Sequence, residues 1–147
     1  MRQWNSDKKV YPKNIDWHHF KNADVVIMSD EDLLGFESEI PYIASLVEIL
    51  ILTKGEEGAI LYYKNKEWHF PAFPSQIKEL TGAGDVFAVA FVLKYAESKD
   101  LFESVAYGNV ASSLSIEGVG VEQLPRTEDI ERRLEIYHQT IKAIQLK

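Results

Sequence analysis

The chain has 147 residues, 46% hydrophobic and 27% charged, with 8 glycines, 5 prolines and no cysteine. That length supports a buried core without a disulfide or metal staple, and the missing cysteine excludes a disulfide framework, a thiolate zinc site and a cysteine nucleophile. Sixteen Lys and Arg against 23 Asp and Glu leave a formal charge of −7, the wrong sign for gripping nucleic-acid phosphates or an anionic membrane.

Residues 1–22 are polar, with isolated large apolar residues at Trp4, Val10, Tyr11, Ile15, Trp17 and Phe20. A free tail is normally polar throughout, so this stretch is expected to be extended or loop structure lying across other parts of a fold. It reads as the middle of a domain. The start lacks an apolar signal region, and no apolar run approaches the ~20 residues that cross a bilayer. A soluble, cytoplasmic protein is the expectation.

Ala23–Ser29 is a short β-branched run that predicts a buried strand. Asp30-Glu31-Asp32 suits the first turn of a helix, and Ser38-Glu39-Ile40-Pro41 opens another through about Leu46. Val47–Thr53 is a second buried strand, halted by Lys54-Gly55-Glu56-Glu57-Gly58. Ala59–Lys64 and Glu67–Phe70 flank Asn65-Lys66 and predict a β-hairpin turning at those two residues. Pro71 and Pro74 break the pattern, and Gln76–Leu80 is a short extended lead-in to Thr81-Gly82-Ala83-Gly84-Asp85.

From there to about Ser98 the wide apolar face (Val86, Phe87, Val89, Ala90, Phe91, Leu93, Tyr95) predicts a helix buried on most sides. Asp100 suits the N-cap of the next helix, with Glu103 placed for a reciprocal capping box, and this helix runs to about Glu117. Its small residues Ala106, Gly108, Ala111, Ser112 and Ser113 permit close packing. Gly118-Val119-Gly120 stops it. Thr127 then caps an amphipathic helix with Ile130, Leu134, Tyr137 and Ile141 on one face. Strands mixed with helices around buried apolar runs indicate a layered α/β fold.

Chemistry concentrates in Thr81–Asp85. Two glycines between an extended segment and a helix let several N–H groups point one way, and the helix dipole makes that concavity an anion site. A carboxylate at its mouth repels a phosphate, so a purely phosphate-cradling loop gains nothing from Asp85. A site that stabilises a transferring phosphoryl group beside a base for the attacking hydroxyl needs both. An ordinary helix start, with Gly for the turn and Asp for the dipole, fits the same spacing equally well. Elsewhere, His18-His19 point opposite ways on an extended chain and make a poor metal pair, and Trp4 and Trp17 fit packed aromatics better than a sugar platform. The Gly-x4-Gly-Lys-Ser/Thr loop is absent, which excludes a P-loop kinase.

Thr81-Gly82-Ala83-Gly84-Asp85 followed by Val86-Phe87 resembles the C-terminal signature of the ribokinase-like (PfkB-type) carbohydrate kinases. Thr53-Lys54-Gly55-Glu56-Glu57-Gly58-Ala59 resembles that family's nucleotide segment, Asn109 falls where the family has an Asn-containing helix beside the adenine, and Ala23–Asp32 falls at its strand and Asn-x-x-Glu motif. The resemblance implies a three-layer α/β fold with a central, mostly parallel sheet. It implies Asp85 as the base toward the acceptor hydroxyl and Gly82, Ala83 and Gly84 as the anion hole. ATP would be bound by Thr53, Gly55, Gly58, Thr81 and Asn109, with Mg2+ near Asp32 through phosphate or water. The acceptor would be a small-molecule sugar or polyol.

The departures are specific. Ser29-Asp30-Glu31-Asp32 keeps an acid at the fourth position but loses the amide, a form similar to the inositol-kinase-like branch. Glu79-Leu80 replaces the usual Asp-Thr or Asp-Pro, which weakens a monovalent-cation site, and Ala90 replaces a common helix glycine.

The resemblance covers nearly the whole chain but corresponds to the C-terminal half of the family's domain. Residues 1–147 are therefore expected to form a partial kinase domain without the substrate half and lid. Such a piece should self-associate or seek its missing N-terminal half, because exposed sheet edges and uncovered faces recruit another chain. Little or no turnover is expected from it alone. A non-catalytic fragment that binds nucleotide or a partner chain remains the alternative.

Overall fold

The computed structural model describes residues 2–4, 10–12, 15–119 and 124–145. Two compact units divide the chain: Met1–Gly55 with Ala59–His69, and Glu56–Gly58 with Phe70–Lys147.

In the first unit, β1 (Arg2–Trp4) pairs antiparallel with β2 (Val10–Pro12). Residues Trp17–Asn22 form a 3-10 helix where an extended or loop segment was expected. The reason is local: the Asp16 carboxylate accepts the His18 N–H at 3.0 Å and caps the turn. Trp17 is thereby buried.

The four-stranded sheet runs β3 (Val25–Ser29), β4 (Ile49–Thr53), β5 (Ala59–Tyr63), β6 (Lys66–Phe70). The first pair is parallel, in register from Val25↔Ile49 to Ser29↔Thr53. Parallel neighbours need a crossover, supplied by residues 30–48 with helix α1 (Ile40–Leu46). β5 returns antiparallel to β4, so the sheet is mixed, with a single parallel pair among the described strands.

β3 alternates and presents Val26 and Met28, whose register partners are Leu50 and Leu52. These four pack with Trp17, Leu33, Ile43 and Val47 into one core. Complete burial of a leucine such as Leu50 contributes about 2 kcal/mol. Ile49–Leu52 are buried on both faces of the strand, which is why that segment reads as an unbroken apolar run. The hairpin turns at Lys64-Asn65, φ 51° and 58°, one residue earlier than expected. A two-residue turn with both φ positive matches the strand twist, and Asn tolerates that region well.

The second unit is helical: α2 (Ala83–Ser98), α3 (Leu101–Ser115) and α4 (Thr127–Gln145). The Asp100 carboxylate accepts the Glu103 N–H at 3.0 Å, as expected of an N-cap. The reciprocal half of the box is replaced: the Asp100 N–H donates to Ser98 Oγ, while the Glu103 carboxylate lies 2.9 Å from His138 Nε2. α3 is buried along most of its length, and Gly108 lets it approach α2, since a Cβ there would lie 3.0 Å from the Phe87 oxygen. α4 places Ile130, Leu134 and Tyr137 in the core. Its N-cap position is Arg126, whose carbonyl accepts the Asp129 and Ile130 N–H groups, so Thr127 is already helical.

α2 departs from expectation. Phe87, Ala90 and Phe91 are buried, but Val89, Val92 and Leu93 are 60%, 55% and 65% exposed. A helix apolar all round is built for burial all round, and the described chain covers it on one side only. No helix among the described residues is long and apolar enough to cross a membrane.

Candidate catalytic loop and nucleotide segment

The Thr81–Asp85 loop is shaped by Gly82. Its φ of 85° lies in the left-handed region that glycine enters without a Cβ penalty. From there the chain enters α2, with the Gly82 carbonyl accepting the Val86 N–H at 3.0 Å. The first N–H groups of a helix have no intrahelical acceptor, so those of Gly84 and Asp85 point out of the positive end of α2. A Cβ added at Gly84 would meet nothing within 4 Å, so the space over the loop is open. Asp85 is exposed at the same helix end.

Within the loop the Ala83 N–H donates to the Leu80 carbonyl at 3.2 Å, and side chains of Ser112 and Glu79 hold it further. Ser112 Oγ donates to the Ala83 carbonyl at 3.2 Å, tying the start of α2 to α3. Glu79 Oε1 accepts the Thr81 N–H at 3.1 Å and the Thr81 hydroxyl at 2.8 Å. The Thr81 hydroxyl and backbone N–H hold the Glu79 carboxyl below its usual value. The sequence showed Glu79 only as a departure from a motif; a carboxylate two residues before a threonine was the available signal for this cap. Upstream, the Lys78 and Glu79 N–H groups both donate to the Ile116 carbonyl, anchoring the lead-in.

A groove of about 440 Å³ runs from Asp85 along α2, walled by Val86, Val89, Leu93, Tyr107 and Ile130. Its walls are mainly apolar, with Lys94 and Glu97 adding charge along α2.

In the second unit Gly58, at φ 96°, lies hard against the backbone that follows β6. A Cβ there would be driven into the Phe70 oxygen and would stand 2.5 Å from the Ala72 nitrogen. Asn109, expected beside the adenine, is buried in α3 with its amide turned inward. The Asn109 side-chain nitrogen lies 2.8 Å from the Pro71 carbonyl, 3.3 Å from the Phe70 carbonyl and 3.1 Å from the Tyr137 hydroxyl.

In the first unit Thr53 ends β4, and its hydroxyl donates to the Met28 carbonyl at 3.3 Å. Gly55 follows at φ 52°. Ser29 and Asp32 form a capping box: Asp32 Oδ2 accepts the Ser29 N–H at 3.0 Å and hydroxyl at 2.9 Å, while the Asp32 N–H donates back to Ser29 Oγ. The expected first turn of a helix is a single 3-10 turn, Asp30–Leu33. Among the described residues no three His, Asp or Glu gather to hold a metal. One carboxylate still fits Mg2+, which is commonly held by one or two carboxylates together with substrate phosphates.

Within the second unit the structure thus brings Thr81, Gly82, Ala83, Gly84 and Asp85 together at the start of α2. It places both Gly58 and Asn109 against residues 70–72. Thr53, Gly55 and Asp32 belong to the first unit.

Known proteins resemble this chain in sequence and fold. The model of the pfkB family carbohydrate kinases matches residues 16–128. Ribokinase from Bacillus subtilis is 35% identical over 86 residues, covering 58% of this chain and 29% of that protein. The crystal structure of Thermotoga maritima ribokinase superposes with a TM-score of 0.75 at 27% identity, covering 84% of this chain and 46% of that one. An Escherichia coli protein crystallised in complex with ATP and Mg2+ shares the fold, with a TM-score of 0.73 at 24% identity over 81% of this chain and 41% of that one. The chain spans less than half the length of each.

Proposed function

This chain belongs to the pfkB family of carbohydrate kinases, and from that premise we propose that it is the nucleotide and catalytic portion of an ATP-dependent kinase acting on a hydroxyl of a sugar or polyol. The observation that carries the reading is the shared position of Asp85 and the outward N–H groups at the start of α2, beyond the left-handed Gly82.

In this reading the Asp85 carboxylate takes the proton of the acceptor hydroxyl as its oxygen attacks the γ-phosphorus. The bond from that phosphorus to the β–γ bridging oxygen breaks, and ADP leaves. The backbone of Gly82 and Gly84 would face the equatorial oxygens, where charge builds during transfer, while the Ala83 N–H, expected there too, is given to the Leu80 carbonyl at 3.2 Å and holds the loop instead. In the second unit Gly58 and Thr81 would contact the nucleotide and Asn109 would set residues 70–72 beside Gly58; in the first unit Thr53 and Gly55 are the residues that the family resemblance assigns to ATP. Asp32 would hold Mg2+ through water or phosphate, and the ion would neutralise phosphate charge when bound. The ATP and Mg2+ of the Escherichia coli neighbour support this donor and metal. A cytoplasmic setting agrees with a chain that carries no cysteine.

A second reading is favoured by the exposed apolar side of α2: a piece that binds nucleotide or another chain without turnover. Val89 and Leu93 would be covered by a second copy or by a segment equivalent to the part of the relatives that this chain does not match. Titration calorimetry of the whole chain with a non-hydrolysable ATP analogue and Mg2+ tests the half-site common to both readings. Saturable one-site binding is expected, and no heat of binding at millimolar analogue would overturn it.

A further inference from the structure

We propose that Tyr137 and Asn109 are positioning residues that set the Gly58 turn through Phe70 and Pro71, and so govern nucleotide binding without touching the nucleotide. The second clause rests on the reading above; the first stands on geometry alone.

The Pro71 carbonyl accepts the Tyr137 hydroxyl at 2.7 Å and the Asn109 amide at 2.8 Å. Two donors fill both lone pairs of one carbonyl, and they come from two different helices, α4 and α3. The same amide lies 3.3 Å from the Phe70 carbonyl. Phe70 ends β6, and Pro71 has no N–H, so the chain leaves the sheet ladder here and side chains must hold it.

This held segment is the one Gly58 touches. A Cβ on Gly58 would strike the Phe70 oxygen, the Pro71 carbonyl carbon and the Ala72 nitrogen. The Gly58 turn therefore has a backbone wall, and the two side chains fix where that wall stands.

Neither polar group is needed for packing. Tyr137 sits in an apolar cluster with Ala106, Val110, Ala111 and Leu134, and Asn109 is only 6% exposed. Burying polar groups there is unfavourable unless they are bonded. What the bonds supply is a defined position for residues 70–72. Burial also pushes the Tyr137 hydroxyl from 10.0 up to about 12, so it stays a donor well into alkaline pH.

Tyr137→Phe keeps the ring and deletes only the hydroxyl; Asn109→Leu keeps the volume and deletes the amide. Amide hydrogen exchange on the whole chain without nucleotide reads the first clause. Exchange in peptides spanning 56–60 and 70–73 should quicken by about tenfold in Tyr137→Phe, with β3 and β4 unchanged. Calorimetry with the ATP analogue and Mg2+ reads the second, with an expected affinity loss of about tenfold. Unchanged exchange in both variants overturns the proposal, as does a uniform rise across the chain, which marks general destabilisation. Faster local exchange with undiminished affinity overturns the action on nucleotide. Absence of binding in the unmodified chain overturns the nucleotide reading itself, while the exchange pattern still decides whether the pair sets the turn.

Discussion

Glu79 and Thr81 close a small ring at the mouth of the candidate catalytic loop: one carboxylate oxygen accepts both the amide and the hydroxyl of the threonine, at 3.1 and 2.8 Å. The contact occupies the hydroxyl hydrogen of Thr81 and fixes the chain just before the left-handed Gly82.

The first prediction concerns acid. The Thr81 hydroxyl and N–H hold the Glu79 carboxyl below 4.5. A depressed carboxyl stabilises the folded loop above its unfolded value and loses that contribution as pH falls through its folded value. The Thr81 amide resonance should therefore titrate with a midpoint below the ordinary glutamate value. A titration midpoint at or above 4.5 would contradict the cap.

Alkali acts on Tyr137. Burial raises its hydroxyl from 10.0 to about 12, so its contribution is complete below pH 10 and is lost as pH rises toward 12. Urea unfolding of the native chain should weaken across that interval more steeply than that of Tyr137→Phe. Equal slopes would mean the hydroxyl is not buried in its neutral form.

Two glycines separate structure from chemistry. Gly58→Ala meets backbone and must hold φ near 96°, so it should lower stability by about 2 kcal/mol or more. Gly84→Ala meets nothing within 4 Å, so its stability should stay within about 0.5 kcal/mol. Denaturant melts of both variants check the contrast, and comparable losses would contradict it.

The exposed side of α2 predicts association. Leu93 is 65% exposed, so Leu93→Asp should change the stability of the isolated fold by no more than about 0.5 kcal/mol. It should also shift sedimentation toward monomer. A native chain that sediments as monomer at every concentration would contradict association through this face.

Much of this fold can be read from residues. Apolar runs at 25–29 and 49–53 and the capped segments after Gly82 and Asp100 mark elements that exist, because burial and capping are local patterns. The hairpin turn slips by one residue, because Lys64 takes a positive φ that composition does not reveal. The 3-10 helix at Trp17 depends on one side-chain cap by Asp16. At the site, the loop through Asp85 is legible because glycine and dipole requirements are local. The inward amide of Asn109 is not, because its partners lie 38 residues before it and 28 after it. Such a contact exists only once the helices have packed.

Asp85 decides the central claim. Acceptor-dependent ADP release over a panel of sugars and polyols, expected to be small for this chain alone, should fall to background in Asp85→Asn, as expected for loss of a general base. Nucleotide binding, measured on the same samples, should be retained. Acceptor-dependent ADP release above background that is unchanged by Asp85→Asn would contradict the assignment of Asp85 as the base.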